Sequence, residues 1–385
     1  MRIILVGPTH PLRGGVAQHT TEFAHRLTAA GHEVAVVSWS EEYPEWLRPG
    51  SSLRIADDRP EIPAHPRTRY PLTWRRPDGW WRTGRELRRA GAEVVAFAHV
   101  NTFQAPAYLT LLSALRRGAG PRPRLLAVCH NVLPHERTRY DVPLARALLR
   151  RADGVLVHSE AQAGLARSLT RAPVVVASLP PHLPAVGGPG VGVAGLRRRL
   201  LFFGMVRPYK GVDVLLRALA QVPDVALTVA GEFWEGVESY RRLAVELGLA
   251  GRVTLRPGYV PAEEIPHLFA EADALVLPYR SGTATQNVYL AFAHGVPVVA
   301  TRVGSMPGQV RDGVDGILCE PGDVAALVAA LRRFYEPGVA EKLRAGVRPP
   351  DTAGAWARYV QAFETLAHPA GLPRRLSRPE PETVR

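Results

Sequence analysis

The sequence predicts an α/β protein made of two Rossmann-like domains that face a central cleft. Three observations carry that expectation. The chain has 385 residues, a length suited to two domains. Short apolar runs alternate with amphipathic stretches from the first residue to about residue 335, the pattern of successive parallel βα units. Near the middle, SLPPHLPAVGGPGVGVAGLRR (178–198) breaks the pattern with prolines and glycines and reads as a linker.

In the first half the strand candidates are 2–7 (RIILVG), 33–38 (EVAVVS), 93–98 (EVVAFA), 124–129 (RLLAVC), 154–158 (GVLVH) and 173–176 (PVVV). Residues 16–30 suit an amphipathic helix, and Gly31 supplies the left-handed residue that ends one. Residues 41–90, rich in Pro, Arg and Trp, read as an irregular insertion before a short basic helix. In the second half the strands fall at 200–204 (LLFFG), 226–230 (ALTVA), 252–255 (RVTL), 274–277 (ALVL), 297–301 (PVVAT) and 316–319 (GILC). Helices are expected near 211–220, 237–248, 261–271, 286–294 and 322–335, and a last amphipathic segment near 353–367. The domain boundaries that follow are 1–180, a linker at 181–198, 199–350, a C-terminal helix at 351–368 and a disordered tail at 369–385.

Composition excludes several classes. Hydrophobic residues at 46% supply two cores, too many for a disordered chain. Cys129 and Cys319 form neither a disulfide framework nor a metal-ligand cluster, which predicts a reducing compartment. No apolar run approaches a membrane span, and with a strand-like run at residues 2–6 and no charged and apolar leader pattern before it, no signal peptide is expected. A cytoplasmic location is expected. The formal net charge is +13, almost all from arginine, since Lys210 and Lys342 are the only lysines. Arg67, Arg69, Arg75, Arg76, Arg82, Arg85, Arg88 and Arg89 crowd the first half, with Arg116, Arg117, Arg122 and Arg124 beyond them. Two readings stay open: solvated faces of an arginine-biased chain, or a basic face for an anionic membrane or phosphorylated acceptor. Nucleic acid is not expected, because no zinc-finger spacing or aromatic RNA-binding motif is present.

In such a fold ligands gather where loops leave the carboxyl ends of the strands. The first of these loops, VGPTHPLRGGVAQHTTE (6–22), ends in Gly14-Gly15 before a helix. Glycines there let a substrate approach the backbone, and free N–H groups at the helix start favour an anion; a tight turn alone would also use them. The dinucleotide fingerprint G-x-G-x-x-G is absent, so no dinucleotide cofactor is expected. After the strand at 200–204, Gly204, Arg207 and Lys210 precede another helix. Two cations there can neutralise a diphosphate leaving group without a metal. Lysine is informative in a chain that otherwise uses arginine, because a compact ammonium at that spot implies a specific fit. VAGE (229–232) places Gly231 and Glu232 at another strand end, with Trp234 just beyond.

These segments resemble glycosyltransferase family 4, the group 1 glycosyltransferases of GT-B architecture. The matching stretches are the Gly14-Gly15 loop, FGMVRPYKG (203–211), VAGE (229–232), LRPGYV (255–260), ADALVLP (272–278), HGVPVVAT (294–301), VGSMP (303–307) and DGVDGIL (312–318). The resemblance spans most of residues 1–335. It implies retaining transfer from a nucleoside-diphosphate sugar held mainly by the second domain, onto a hydroxyl of a glycan, lipid-linked or small-molecule acceptor at the first. The nucleotide sugar is a substrate; no cofactor or metal is expected. The final helix is expected to pack back across the domain junction. His130 in VCHNVLPHE (128–136) matches a histidine that contacts the donor sugar and is the catalytic candidate, with Asn131 beside it. His99 and Asn101 are acceptor-side candidates. The chain also departs from the family: two glutamates usual in its members are replaced here by Gly282 and Leu290. Between them Thr283, Thr285, Gln286 and Asn287 offer neutral hydroxyls and amides for phosphate and sugar, and they also suit a capped helix start. The missing carboxylates keep two alternatives open, a nucleotide-sugar epimerase or hydrolase and a non-catalytic sugar-nucleotide-binding subunit.

Overall fold

The computed structural model describes residues 1–44, 63–117, 121–134, 138–182, 195–282 and 284–368. Among these residues two all-parallel sheets form, each flanked by helices. The first contains β1 (Arg2–Val6), β2 (Glu33–Glu41), β3 (Thr68–Thr73), β4 (Val94–His99), β5 (Arg124–Cys129), β6 (Gly154–Val157) and β7 (Val174–Val176). Its spatial order is β3-β2-β1-β4-β5-β6-β7. The second contains β8 (Arg199–Phe203), β9 (Ala226–Gly231), β10 (Val253–Pro257), β11 (Ala274–Leu277), β12 (Val298–Thr301) and β13 (Gly316–Cys319), ordered β10-β9-β8-β11-β12-β13. Strand direction of winding therefore reverses between β1 and β4 and between β8 and β11. The loops after β1 and β8, both singled out in the sequence, sit at these two switch points.

The central strands are covered on both faces, which is why they read as continuous apolar runs. β4 and β6 are buried along their whole length. The short basic helix expected at the end of 41–90 forms as Pro77–Arg89 and residues 45–62 lie outside the described residues, but β3 corrects the reading of the stretch before that helix as irregular. TRYPLT contains Pro71 and buries only Leu72, so it shows neither an apolar run nor clean alternation. An edge position tolerates both features, because its outer N–H groups need no strand partner. Helices Ala105–Arg116, Asp141–Leu149, Glu160–Leu169 and Val339–Gly346 also form where no boundaries had been drawn.

The last helix, Thr352–Ala367, starts where the Asp351 carboxylate accepts the Gly354 N–H at 2.8 Å. Trp356, Tyr359, Val360, Phe363 and Leu366 recur at helical spacing and form one buried face. That face packs on the first sheet, beside Phe23, Val34 and Leu126, although the helix follows the whole second half in sequence. The linker expected at 181–198 lies largely outside the described residues, but Pro181 and His182 are placed, and the Trp356 indole N–H donates to the Pro181 carbonyl at 2.9 Å. The tail at 369–385 lies outside the described residues.

Candidate active site

A cleft of about 780 Å³ opens between the two sheets and is lined by the loops at their strand carboxyl ends. On the side of the second sheet its floor is made where β8 and β9 end. Gly204 and Gly231 have φ of 103° and 144°, and a Cβ on Gly231 would stand 2.2 Å from the Gly204 carbonyl oxygen. Only glycine lets the two strand ends approach so closely, and the result is bare backbone facing the cleft.

Arg207 and Lys210 rise from the loop after β8. The Arg207 guanidinium lies 4.0 Å from the Trp234 ring centroid, and its Nε is buried with no hydrogen-bond partner. The Lys210 ammonium lies 5.3 Å from the Tyr279 ring centroid. Neither cation forms an ion pair among the described residues. Burial lowers the Lys210 pKa below its ordinary value; Tyr209 opposes that shift and the Arg207 charge adds to it. Two half-buried cations held against aromatic rings, with no carboxylate partner among the described residues, are poised for an anion from outside.

The segment before the helix Asn287–Ala293 closes this wall. The Asn287 amide donates to the Phe203 carbonyl at 2.7 Å, and Thr285 Oγ1 accepts the Asn287 N–H at 3.2 Å. Gln286 Oε1 accepts the His182 N–H at 3.0 Å, leaving Gln286 Nε2 buried without a partner. These contacts brace the loop, and Thr285, Gln286 and Asn287 still line the cleft. Gly282 and Leu290, where the family glutamates are replaced, line it too. Thr283 lies outside the described residues.

Gly14, with φ of 117°, and Gly15 begin the helix Gly15–Ala29 at the cleft, with no side-chain cap over the first N–H groups. Arg13, just before them, reaches across to the second sheet. Its Nη1 stands 3.9 Å from Glu232 Oε1 and its guanidinium lies 4.7 Å from the Tyr259 ring centroid. Glu232 is thus tied to the first half of the chain. Sequence reasoning passed over Arg13, because nothing in the loop indicates that it crosses the cleft.

His130 follows β5 and is buried at the cleft wall, with Nε2 unpartnered. It packs edge-on against His19 at 4.8 Å and His158 at 5.1 Å between ring centroids, and His182 lies 5.3 Å from His19. Trp356 stacks on His19 at 5.4 Å. Burial first, and then the neighbouring imidazoles, hold His19 and His130 well below the usual histidine range. Burial takes His158 and His182 down to about 4. All four imidazoles are therefore neutral at neutral pH. His158 and His182 also line the cleft.

Of the acceptor-side candidates, Asn101 and Asn131 line the cleft, whereas His99 does not. His99 is fully buried; its Nε2–H donates to the Val132 carbonyl at 3.2 Å, and burial lowers its pKa to about 4. It supports the loop that carries Asn131 and does not face a substrate. Beside Asn101 the wall is completed by Glu42, Tyr43 and Phe103, which the sequence did not single out. Among the described residues no cluster of three or more His, Cys, Asp or Glu is arranged to hold a metal.

Two doubly wound sheets facing one cleft, with paired cations and bare glycine backbone at the second switch point, define a glycosyltransferase of GT-B architecture. The family pattern "Glycosyltransferase Family 4" matches residues 13–179, and "Glycosyl transferases group 1" matches 197–337. A GDP-mannose-dependent alpha-(1-6)-phosphatidylinositol monomannoside mannosyltransferase of Mycolicibacterium smegmatis is 32% identical over 358 residues, covering 83% of this chain and 85% of that one. The chain belongs to glycosyltransferase family 4. A D-inositol 3-phosphate glycosyltransferase of Streptomyces griseus is 35% identical over a shorter stretch, 40% of this chain and 36% of the relative. In structure the chain resembles sucrose-phosphate synthase from Thermosynechococcus elongatus, with TM-score 0.69 at 20% identity over 95% of this chain and 99% of that one. It also resembles Anabaena HepE in complex with UDP and glucose, with TM-score 0.69 at 17% identity over 95% and 100%. At those identities the likeness concerns the fold.

Proposed function

We propose that this glycosyltransferase moves a sugar from a nucleoside-diphosphate sugar to an acceptor hydroxyl with retained configuration and without a metal ion. The observation that carries the reading is the pair Arg207 and Lys210, two cations without carboxylate partners among the described residues, beside the backbone bared by Gly204 and Gly231. The relatives give the nucleotide sugar further support: GDP-mannose is in the name of the mycobacterial enzyme, and HepE has been captured with UDP-glucose. The diphosphate lies against Arg207 and Lys210, whose fixed charges stabilise the leaving group as the glycosidic bond breaks. Gly14, Gly15 and the N–H groups of the first helix meet the donor from the other side. Thr285, Gln286 and Asn287 offer neutral polar atoms toward the phosphate and sugar hydroxyls, a role we extend to Thr283. His130, neutral and with a free Nε2, positions a sugar hydroxyl near the reacting carbon.

Retention is carried over from the family, and the carboxylates bear on the route to it. A covalent glycosyl intermediate needs one at the anomeric carbon, and the cleft wall at Gly282 and Leu290 has none. Glu232 is engaged with Arg13, and Glu42 lies in the opposite wall. Departure of the diphosphate and attack of the acceptor on the same face is the retaining route that needs no such carboxylate.

The test is transfer from a panel of UDP-, GDP- and ADP-sugars to mixed hydroxyl acceptors, with and without chelator. Acceptor-dependent turnover that persists in EDTA is expected. His130→Ala is expected to lower kcat by about 10²-fold. Turnover abolished by EDTA, or sugar released equally fast without acceptor, would refute the metal-free transfer.

No helix among the described residues is long and apolar enough to cross a membrane. We place the enzyme in the cytoplasm, with peripheral contact at the inner membrane face through the arginine-rich helix Pro77–Arg89. Trp81 on this helix is exposed and lies beside Arg117, whose guanidinium is 5.2 Å from its ring centroid. Binding to anionic vesicles is expected to weaken steeply as salt rises, and to be absent with neutral lipid. Equal binding to both lipids would remove this contact.

A further inference from the structure

The charges of the cleft are divided between its walls. Among the described residues, the arginines and lysines that line it are Arg13, Arg207 and Lys210. Arg207 and Lys210 belong to the second half, and Arg13 points its guanidinium at Glu232 and Tyr259 of that half. The opposite wall, where β2, β4 and β5 end, carries no cation among the described residues. It carries a carboxylate, two amides and two aromatic rings. The described arginines that make the first half basic, Arg13 apart, do not line the cleft, and several are paired: Arg67 with Glu33 at 2.6 Å, Arg75 with Glu41 at 2.8 Å, and Arg82 with Asp78 at 2.8 Å.

That wall is built rather than incidental. Glu42, directly after β2, is 6% exposed and accepts the Gln104 amide at 2.7 Å. Burial, and then the Glu42 carboxylate hydrogen-bonded to it, hold the Tyr43 hydroxyl well above its usual pKa. Asn101 donates from Nδ2 to that hydroxyl at 2.6 Å, while its Oδ1 accepts the Phe103 N–H at 3.0 Å. The series Gln104–Glu42–Tyr43–Asn101 thus fixes four polar side chains across the two loops that follow β2 and β4. Phe103, held by the same turn, is 43% exposed and lies 5.5 Å from the Tyr43 ring between centroids. An open aromatic ring beside fixed carboxylate and amide groups matches the two surfaces of a pyranose or cyclitol. Its C–H face rests on the ring, and its hydroxyls meet the polar atoms.

We propose that Glu42, Tyr43, Asn101, Phe103 and Asn131 form the acceptor subsite for an uncharged polyhydroxy ring, and that Glu42 selects against acceptors with a phosphate near the reacting hydroxyl. The inference rests on the transferase reading above and argues against the phosphorylated acceptor that the basic composition had left open. A fixed buried carboxylate repels a phosphate dianion while it accepts hydrogen bonds from neighbouring hydroxyls, so one group supplies both attraction and rejection.

The experiment measures kcat/KM, with the nucleotide sugar that the enzyme turns over, for methyl hexosides and cyclitols against their monophosphates. Nucleotide affinity and melting temperature are followed for every protein. Wild type is expected to favour the neutral acceptors by at least about tenfold. Glu42→Gln, which keeps the shape and the Gln104 contact, is expected to shrink that ratio. Phe103→Ala is expected to raise KM for neutral acceptors about tenfold with a smaller change in kcat. Preference for the phosphorylated acceptors in wild type overturns the inference. So does a ratio unchanged in Glu42→Gln together with an unchanged KM in Phe103→Ala. In either of those cases the transferase reading stands, because transfer is still observed. Absence of nucleotide binding and of transfer to any acceptor in wild type overturns both.

Discussion

Replacing Arg207 and Lys210 together with alanine is expected to lower nucleoside-diphosphate affinity by about 10³-fold and to abolish measurable transfer. The magnitude follows from two charge-assisted contacts of about 2 kcal/mol each, and a factor of ten for every 1.4 kcal/mol. The fold is expected to survive. Neither residue forms an ion pair among the described residues, and the Tyr279 ring beside Lys210 also packs against Phe202 and Tyr209. Removing two neighbouring like charges also relieves the repulsion that contributes to the lowered Lys210 pKa. Lys210→Arg is the sharper variant. The Lys210 ammonium sits beside Tyr279, and a Cβ on Gly204 would be 3.9 Å from its Nζ and 3.2 Å from Asn287 Nδ2. A guanidinium keeps the charge but not the size, so a loss of about tenfold is expected even with the charge retained. Titration calorimetry with UDP and GDP, and steady-state transfer, read both effects. Affinity within twofold of wild type in a folded double variant would remove the phosphate site on which the mechanism depends.

The same loop shows what a linear sequence can reveal. Arg207 and Lys210 stand out because strand, loop and helix follow one another within a single βα unit, and the fold rule says where such a loop points. The central strands were equally legible, since burial on both faces leaves unbroken apolar runs such as RLLAVC and ALVL. β3 was not, because an edge strand has no second covered face to impose a pattern. Ala105–Arg116 escaped for another reason: its less buried half carries Pro106, Leu109, Thr110 and Ser113 with no charge before Arg116, so little polar contrast sets off the buried face. In the cleft, the residues missed are those whose role depends on a neighbour far away in sequence. Arg13 acquires meaning from Glu232 and Tyr259, Glu42 from Gln104, and Phe103 from Tyr43. His99 was misplaced because a strand end in sequence does not tell whether the side chain faces the cleft or the loop beneath it.

The histidine cluster sets up the second large effect, a loss of stability on mild acidification. His19, His130, His158 and His182 come from four different segments and meet under Trp356 and Tyr359 of the last helix. Their folded-state pKa values lie below the unfolded value of about 6.5. The unfolded chain therefore binds more protons than the folded one between pH 6.5 and about 4, where His99, His158 and His182 titrate. Stability from these groups is complete above pH 6.5 and is lost as pH falls through that window. A single histidine held at about 4 withdraws up to about 3 kcal/mol across it, and coupling among neighbours makes the cluster's total differ from a simple sum. Against a typical domain stability of about 5–15 kcal/mol, two such groups are decisive. The weakness falls at a functional junction: Trp356 holds the Pro181 carbonyl, and the adjacent His182 N–H holds Gln286 in the cleft wall. Melting temperature is expected to be flat from pH 8 to 7 and to drop steeply toward pH 5, with transfer activity falling alongside it. His19→Phe, which keeps a ring against Trp356 but carries no proton, is expected to reduce the drop. A melting temperature constant from pH 7.5 to 5, or a drop of equal size in His19→Phe, would show that these imidazoles do not govern the acid stability of the enzyme.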